Sequence, residues 1–378
     1  MRTFCFIVPY FIPHIGGIER YTLGLANELI RRGEKVIVLC HNDKDIYQKD
    51  NIGEIVVYRI GSYILLNGRW PLPKPNLLFF SFLGSMFRQE IDTIVINGRF
   101  YVLGLIVAFL YWVKRSKVIL IEHGTSHFTL SNKILTNVAK FYDHLSTIFY
   151  SIFIKDFYGV SQKCCEWLRH FKINCRGVIY NSIYEYKLDC LTITREKLSC
   201  SDSDVIISFA GRLIEEKGVI ELITAFDRIC KRYNHVKLII AGTGPLEPYI
   251  NSITNSNVLF LGSLDHSSVL SLLKVSDIFV HPSRYPEGLP TVLLEAAIMK
   301  CAIITTPAGG SSEVINSEEY GIIINCNPTD IENALVKLIE NPELRVSISN
   351  SVYMKVKDHF TWEKTVEQFY TQLGGLNE

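Results

Sequence analysis

Glu287-Gly288-Leu289-Pro290-Thr291 is followed by a second carboxylate, Glu295, eight positions after the first. Pro290 lacks the N–H that a helix leaves unpaired in its first turn, so a helix is expected to begin there. Glu287 then stands in the loop before the helix and Glu295 in its second turn. The free amides near Thr291 and Val292 make a positive helix end suited to a phosphate group. A carboxylate on either side of such an anchor can take vicinal hydroxyls, one pair from a sugar ring and one from a ribose. An ordinary acidic helix start carries the same residues.

A second cluster runs from Ala210 through Gly211, Arg212 and Lys217 to Gly218, directly after the apolar stretch VIISFA. Gly211 permits close approach to the backbone at the carboxyl edge of a strand, where parallel sheets bind ligands. Arg212 offers a bidentate fork for phosphate oxygens and Lys217 a compact charge. A solvated turn would carry the same types. Gly242-Thr243-Gly244-Pro245 is half of a G-x-G-x-x-G fingerprint, with Glu247 in the place of the third glycine. In the first half, Gly16-Gly17 closes one loop and opens a helix, so its amides can meet a diphosphate or form a plain turn. Glu122-His123-Gly124 ends another apolar run. His123 can serve there as a general acid or base or as a hydroxyl ligand, although a lone histidine is more often structural.

The elements that must position these residues alternate along the chain. FCFIVPY, KVIVLC, IVVYRI, TIVING, VILIEHG and DFYGVS read as strands, and residues 18–32 as a helix with Leu23, Ala26, Leu29 and Ile30 on one face and Gly33 as its stop. The second half restarts with DVIISFAGRL, VKLIIAGTG, VLFLGS, DIFVHPS, AIITTP and GIIIN, separated by the helical ELITAFDRIC, SVLSLLKVS and TVLLEAAIMK. Strand, helix, strand in repeated order implies right-handed βαβ units and parallel sheets, an α/β protein. Residues 184–204 break the rhythm. The expected division is an N-terminal domain over 1–184, a linker over 185–204, a C-terminal domain over 205–350 and a helical segment over 351–378, with Trp362 and Phe369 on its apolar side.

The 378 residues, 48% hydrophobic and 20% charged, supply two cores, and a net charge of +1 argues against a nucleic-acid partner. The ten cysteines form no C-x-x-C pair and no Cys/His group at metal-ligand spacing. They are expected to be reduced core thiols in a cytoplasmic protein, with no metal site. The D-x-D at Asp202-Ser203-Asp204 reads as a solvated turn. The start lacks the plan of a secretory signal. The apolar run 100–113 is shorter than the about 20 residues of a membrane span, so it is expected to be a buried helix. The other reading is a membrane-surface element, because Lys114, Arg115 and Lys117 follow.

Taken together, Pro9 through Gly17, Glu19, His123, Arg212, Lys217, the Glu287–Glu295 pair and Gly309-Gly310 with Glu313 recur in the order of one family. The chain resembles the retaining glycosyltransferases of family 4 (glycosyl transferases group 1), of the type that builds bacterial surface polysaccharides. The likeness spans nearly the whole length, and EGLPTVLLEA is its most specific part. It implies the GT-B fold: two facing Rossmann-like, doubly wound parallel-sheet domains, with a C-terminal helix crossing back to the first. It implies that Arg212 and Lys217 neutralise the donor diphosphate and that Glu295 holds the nucleotide ribose. Glu287, with the amides of Gly288 and Leu289, is implied to hold the transferred sugar beside the helix start at Thr291. Gly16 and Gly17 are implied to let their loop approach the diphosphate, and His123 to contact the sugar near the reacting carbon. Thr243, where an acidic residue is frequent, and Lys300, where a glycine is common, depart from the pattern.

The activity so implied moves a hexose or N-acetylhexosamine, with retention, from a UDP- or GDP-linked donor to a glycan or lipid-linked glycan. The setting is lipopolysaccharide O-antigen or capsule synthesis, with no cofactor and no metal. The expected acceptor is polyprenyl-linked and meets the first half, where LLFFSFLGSMF and LSTIFYSIFIKDFYG lie near Arg69, Arg88, Lys133 and Lys155. That composition also leads to an expectation of peripheral attachment at the inner face of the plasma membrane. The competing readings are a nucleotide-sugar epimerase and a catalytically inactive scaffold on the same fold.

Overall fold

Parallel strands buried on both faces organise each half of the chain in the computed structural model, which describes all residues except 15, 43–46, 67, 69, 128–132, 187–191 and 375–378. Arg69 and Cys190 therefore lie outside the described residues. The chain divides into two compact units, one of residues 1–182 with 362–378 and one of residues 183–361.

The first unit contains β1 (Thr3–Ile7), α1 (Gly17–Arg31), β2 (Lys35–Asn42), β3 (Gln48–Ile52), β4 (Ile55–Leu65), β5 (Trp70–Pro73), α2 (Leu77–Phe87), β6 (Thr93–Asn97), α3 (Val102–Val113), β7 (Lys117–Glu122), α4 (Lys133–Phe153), β8 (Asp156–Gly159), α5 (Gln162–Arg169) and β9 (Gly177–Val178). Its strand order is β3-β4-β2-β1-β6-β7-β8-β9, with β5 added to β4. β1, β2, β4, β6, β7, β8 and β9 pair in parallel, whereas β3 and β5 are antiparallel edges. Successive residues of β1 point to opposite faces. Phe4 and Phe6 join Leu25 and Leu29 of α1 on one side, and Cys5 and Ile7 join Leu83 of α2 and Val107 of α3 on the other.

The second unit contains β10 (Val205–Ala210), α6 (Val219–Ile229), β11 (Val236–Ala241), α7 (Glu247–Asn251), β12 (Val258–Phe260), α8 (His266–Val275), β13 (Ile278–His281), α9 (Thr291–Ile298), β14 (Ala302–Thr305), α10 (Ser311–Val314), β15 (Ile322–Ile323), α11 (Pro328–Glu340) and α12 (Pro342–His359). Its parallel sheet has the order β12-β11-β10-β13-β14-β15. The core is aliphatic, drawn from Ile207, Leu238, Val280 and Ile304 of the sheet and from Leu222, Phe226, Leu335 and Leu338 of the helices above it.

The division differs from the expected one in two places. Residues 185–204 are part of the second unit: Arg195 pairs with Asp277 at 2.8 Å and Thr192 Oγ1 meets Ser271 Oγ at 3.1 Å. The C-terminal helical segment is two helices. α12 stays in the second unit, while α13 (Trp362–Gln372) belongs to the first. There Trp362, Val366 and Phe369 are buried with α1, and the Phe369 ring lies 5.6 Å from that of Phe4. The apolar period of α13 shows this face but not which core receives it.

The cysteine reading is also corrected. Cys165 on α5 and Cys175 form a disulfide, because the chain reverses after the helix and brings positions ten apart to a Cα separation of 5.3 Å. Cys5, Cys40, Cys164, Cys200 and Cys301 are outside the disulfide and buried, as expected of small apolar side chains.

Candidate active site

In the second unit, strands after β10 are added on one side and strands after β13 on the other. Loops leaving the carboxyl ends of β10 and β13 therefore diverge, and open α/β sheets bind ligands at such a switch point. Those two loops carry Arg212 with Lys217 and Glu287 with Leu289.

Lys217 ends a single 3-10 turn, Glu215–Lys217, and is buried. Its Nζ is ion-paired with Glu287 Oε1. Burial, with the Arg212 guanidinium adding to it, pushes the Lys217 ammonium down to about 8. The carboxylate of Glu287 at contact opposes that shift by favouring the charged form. Tyr285, two residues before Glu287, lies beneath both cations: its ring centroid is 5.1 Å from the Arg212 guanidinium carbon and 5.5 Å from Lys217 Nζ. Arg212 itself is exposed.

The Glu287 loop is held from behind. Gly309, in the loop after β14, has φ +57°, and a Cβ there would come within 1.8 Å of the Glu287 carbonyl oxygen. Gly242, at φ +141°, similarly abuts Gly211, where a Cβ would meet the carbonyl oxygen at 1.8 Å. The Gly-Thr-Gly segment thus shapes the Arg212 loop from beneath, a role that its partial fingerprint does not reveal.

α9 begins at Thr291 with Pro290 as its N-cap, one position earlier than expected for the proline. Proline has no side-chain acceptor to offer the first amides. Gly288 and Leu289 are buried, and Glu295 is buried in the second turn. Glu295 Oε1 lies 2.8 Å from His266 Nε2 at the start of α8, and the His266 ring meets Tyr186 edge-on at 5.5 Å. The two glutamates therefore have separate partners, Lys217 for one and His266 for the other. At the end of β13, burial pushes the His281 imidazole down to about 3, and Lys217 adds to this.

In the first unit the same reversal falls between β1 and β6. Gly16 is the N-cap of α1 and Gly17 its first residue. Glu19, three residues past the cap, is buried and accepts from the Gly16 backbone, closing the helix start as a capping carboxylate does. Burial raises its pKa, while the backbone hydrogen bonds and His14, 3.3 Å away, oppose the rise. The Gly16 amide is thus engaged by a carboxylate of this chain.

His123 follows β7. Its Nε2 lies 2.7 Å from Asn97 Oδ1, and its ring contacts Tyr21 edge-on at 4.8 Å. Burial pushes it down to about 3. The neutral imidazole that burial favours can hydrogen-bond a hydroxyl. The preceding Glu122 accepts from the amides of His123 and Gly124 at 2.9 and 2.8 Å and pairs with Arg99 at 3.0 Å. Tyr285, His266 and Arg99 were not singled out in the sequence. Only Tyr285 has a local signal, its position just before Glu287.

The run 100–113 forms a helix with one buried face rather than a wholly buried one: Leu103, Val107 and Tyr111 are covered, while Phe109, Trp112 and Val113 are exposed. On α4, Ile134, Val138, Phe141, Leu145, Ile148 and Ile152 are exposed at helical spacing. Leu77, Leu78 and Phe80 of α2 are exposed too, as are Arg88, Lys133, Lys140 and Lys155. No helix among the described residues is long and apolar enough to cross a membrane.

Glycosyl transferases group 1 matches residues 192–354, and Glycosyltransferase Family 4 matches residues 15–184. An uncharacterized glycosyltransferase of Methanocaldococcus jannaschii is 27% identical over 376 residues, 95% of each chain. The phosphatidylinositol N-acetylglucosaminyltransferase GPI3 subunit of Saccharomyces cerevisiae (strain YJM789) is 24% identical over 97% of this chain and 82% of its own. Among solved structures, HepE of Anabaena in complex with UDP superposes with a TM-score of 0.76 at 16% identity, covering 99% of both chains. The chain is a GT-B glycosyltransferase. The glycosyltransferase thus has its group 1 match on the unit that carries Arg212, Lys217, Glu287 and Glu295.

Proposed function

We propose that the enzyme transfers a hexose or N-acetylhexosamine, with retention, from a UDP- or GDP-linked donor to a polyprenyl-linked or other glycan acceptor in bacterial surface polysaccharide synthesis. The observation that carries the donor half is the meeting of Lys217, Arg212, Tyr285 and Glu287 at the β10/β13 switch point, beside the start of α9. Breaking the anomeric C–O bond leaves negative charge on the departing diphosphate, and fixed cations aimed at it lower the barrier without reorganising. Arg212 and Lys217 take that role, with the amides at Thr291 beside them. Glu287 and the amides of Gly288 and Leu289 hold sugar hydroxyls, and Glu295, oriented by His266, holds the ribose. These cations supply the charge neutralisation, so the reading calls for no metal in the transfer step. The leaving phosphate helps to take the acceptor proton in a front-face attack.

His123 is assigned a contact to a sugar hydroxyl near the reacting carbon. The exposed apolar faces of α3 and α4 with their flanking lysines support a lipid-linked acceptor and peripheral attachment at the cytoplasmic face of the plasma membrane. A panel of UDP- and GDP-sugars without acceptor tests the reading. Slow release of UDP or GDP is expected. Conversion to another sugar nucleotide would mean an epimerase, and neither outcome would mean an inactive scaffold.

A further inference from the structure

Three histidines far apart in the sequence meet on the first unit. His127 follows β7, His144 stands next to Asp143 on α4, and His170 caps α5. One ring nitrogen from each lies within 4.8 Å of the others. The ring centroids of His127 and His144 are 5.2 Å apart, those of His127 and His170 5.3 Å, and those of His144 and His170 5.1 Å. Among the described residues, half-buried His127 bonds a protein partner, while exposed His144 and His170 face solvent.

That one bond has the form of a metal-ligand support. His127 Nδ1 lies 2.7 Å from Asp143 Oδ2, so the carboxylate accepts the Nδ1 proton and leaves the Nε2 lone pair available. Asp143 is in turn fixed by ion pairing with Arg99, whose guanidinium also pairs with Glu122. Two carboxylates against one guanidinium leave a negative balance beside the three imidazoles, which favours a cation. His170 is stacked on Trp167, with an interplanar angle of 5° and centroids 4.9 Å apart, which sets its plane. Zinc-bound nitrogens stand at about 2.0–2.1 Å from the metal, hence roughly 3.4 Å from one another in a tetrahedron. His144 is exposed on α4, and binding would draw the three nitrogens together from separations of up to 4.8 Å.

The geometry points to a transition-metal site of the zinc class at His127, His144 and His170, with Asp143 as the carboxylate behind His127 and water as the fourth ligand. Nitrogen ligands of this kind select zinc and its neighbours over calcium or magnesium. The site ties the segment that carries His123 and Gly124 to α4 and α5, so its role is structural and the transfer step does not pass through it. It stands independently of the proposed donor and acceptor.

Isothermal titration of the chelator-treated full chain with ZnCl2 tests this, together with the visible absorption of the Co2+ form. One equivalent is expected to bind with Kd of about 1 μM or tighter, with the spectrum of a tetrahedral nitrogen and oxygen site. Zinc is expected to raise Tm. The exposed His144→Ala and His170→Ala variants should keep the far-ultraviolet circular dichroism of the parent and lose about 100-fold or more in zinc affinity. A Cys175→Ser variant serves as control and should bind as the parent does. Binding that survives both histidine substitutions, binding lost in the cysteine variant alone, or no saturable zinc uptake overturns the proposal.

Discussion

Lys217 Nζ is ion-paired with Glu287 Oε1, so the cation assigned to the diphosphate and the carboxylate assigned to the sugar neutralise one another in this structure. A donor bound here takes over both partners. The pair also keeps either charge from being buried alone, a state that costs several kcal/mol (about 3–5) in other proteins.

Lys217 makes donor use pH-dependent. The free enzyme's ammonium is held down to about 8 by burial and by Arg212. Its protonated form is the active one, so kcat/KM is expected to be level below that value and to fall as pH rises through it. Lys217→Ala should lower kcat by about 100-fold or more and abolish this alkaline limb. A pH–rate profile checks both; an unchanged alkaline limb in the variant would assign the titration to another group.

Glu295 is expected to sense the nucleoside and not the phosphates. Loss of one hydrogen bond to a charged group, about 1.5–3 kcal/mol, weakens binding roughly tenfold or more. Glu295→Gln should therefore weaken UDP or GDP by that factor and leave inorganic pyrophosphate unaffected. His266→Ala should act in the same direction with smaller size, because it orients Glu295 from 2.8 Å. Equal losses for pyrophosphate and nucleotide would move Glu295 away from the ribose.

Gly309 carries a steric prediction. A methyl group would meet the Glu287 carbonyl oxygen at 1.8 Å, and the backbone at φ +57° disfavours an L side chain. Gly309→Ala is expected to cost roughly 1–3 kcal/mol of stability and to displace the Glu287 loop. Thermal unfolding and donor titration read these separately, and a variant with parental values in both would show that the close packing is dispensable.

The exposed face of α4 is expected to meet lipid. Phe141→Asp with Ile148→Asp, both at positions already exposed, should leave folding and donor hydrolysis unchanged. Flotation with anionic vesicles should fall from most of the protein to little. Equal flotation of variant and parent, or none of the parent, removes the membrane contact from the proposed function.

Much of this was readable from local pattern. The runs VIISFA, KLIIA and IFVH became buried parallel strands because aliphatic residues covered on both faces leave no polar alternation to confuse them. Gly33 ended α1 in the left-handed region, as its position predicts. The edges were not legible: β3, QKDNI, is polar and becomes a strand only by pairing with β4. Lys300 adopts φ +63° after α9, a left-handed backbone that its residue type does not advertise.

Amino-acid order alone determined the strand and helix periods, the glycines at loop bends and the candidates Arg212, Lys217, Glu287 and Glu295, because each depends on neighbours within a few positions. Tertiary structure alone decided the partners: Glu287 with Lys217, Glu295 with His266, Cys165 with Cys175, and three histidines from three separate elements. Such pairings depend on which strand lies beside which and where each loop leaves the sheet. That information is spread over the whole packed core and appears in no local stretch of residues.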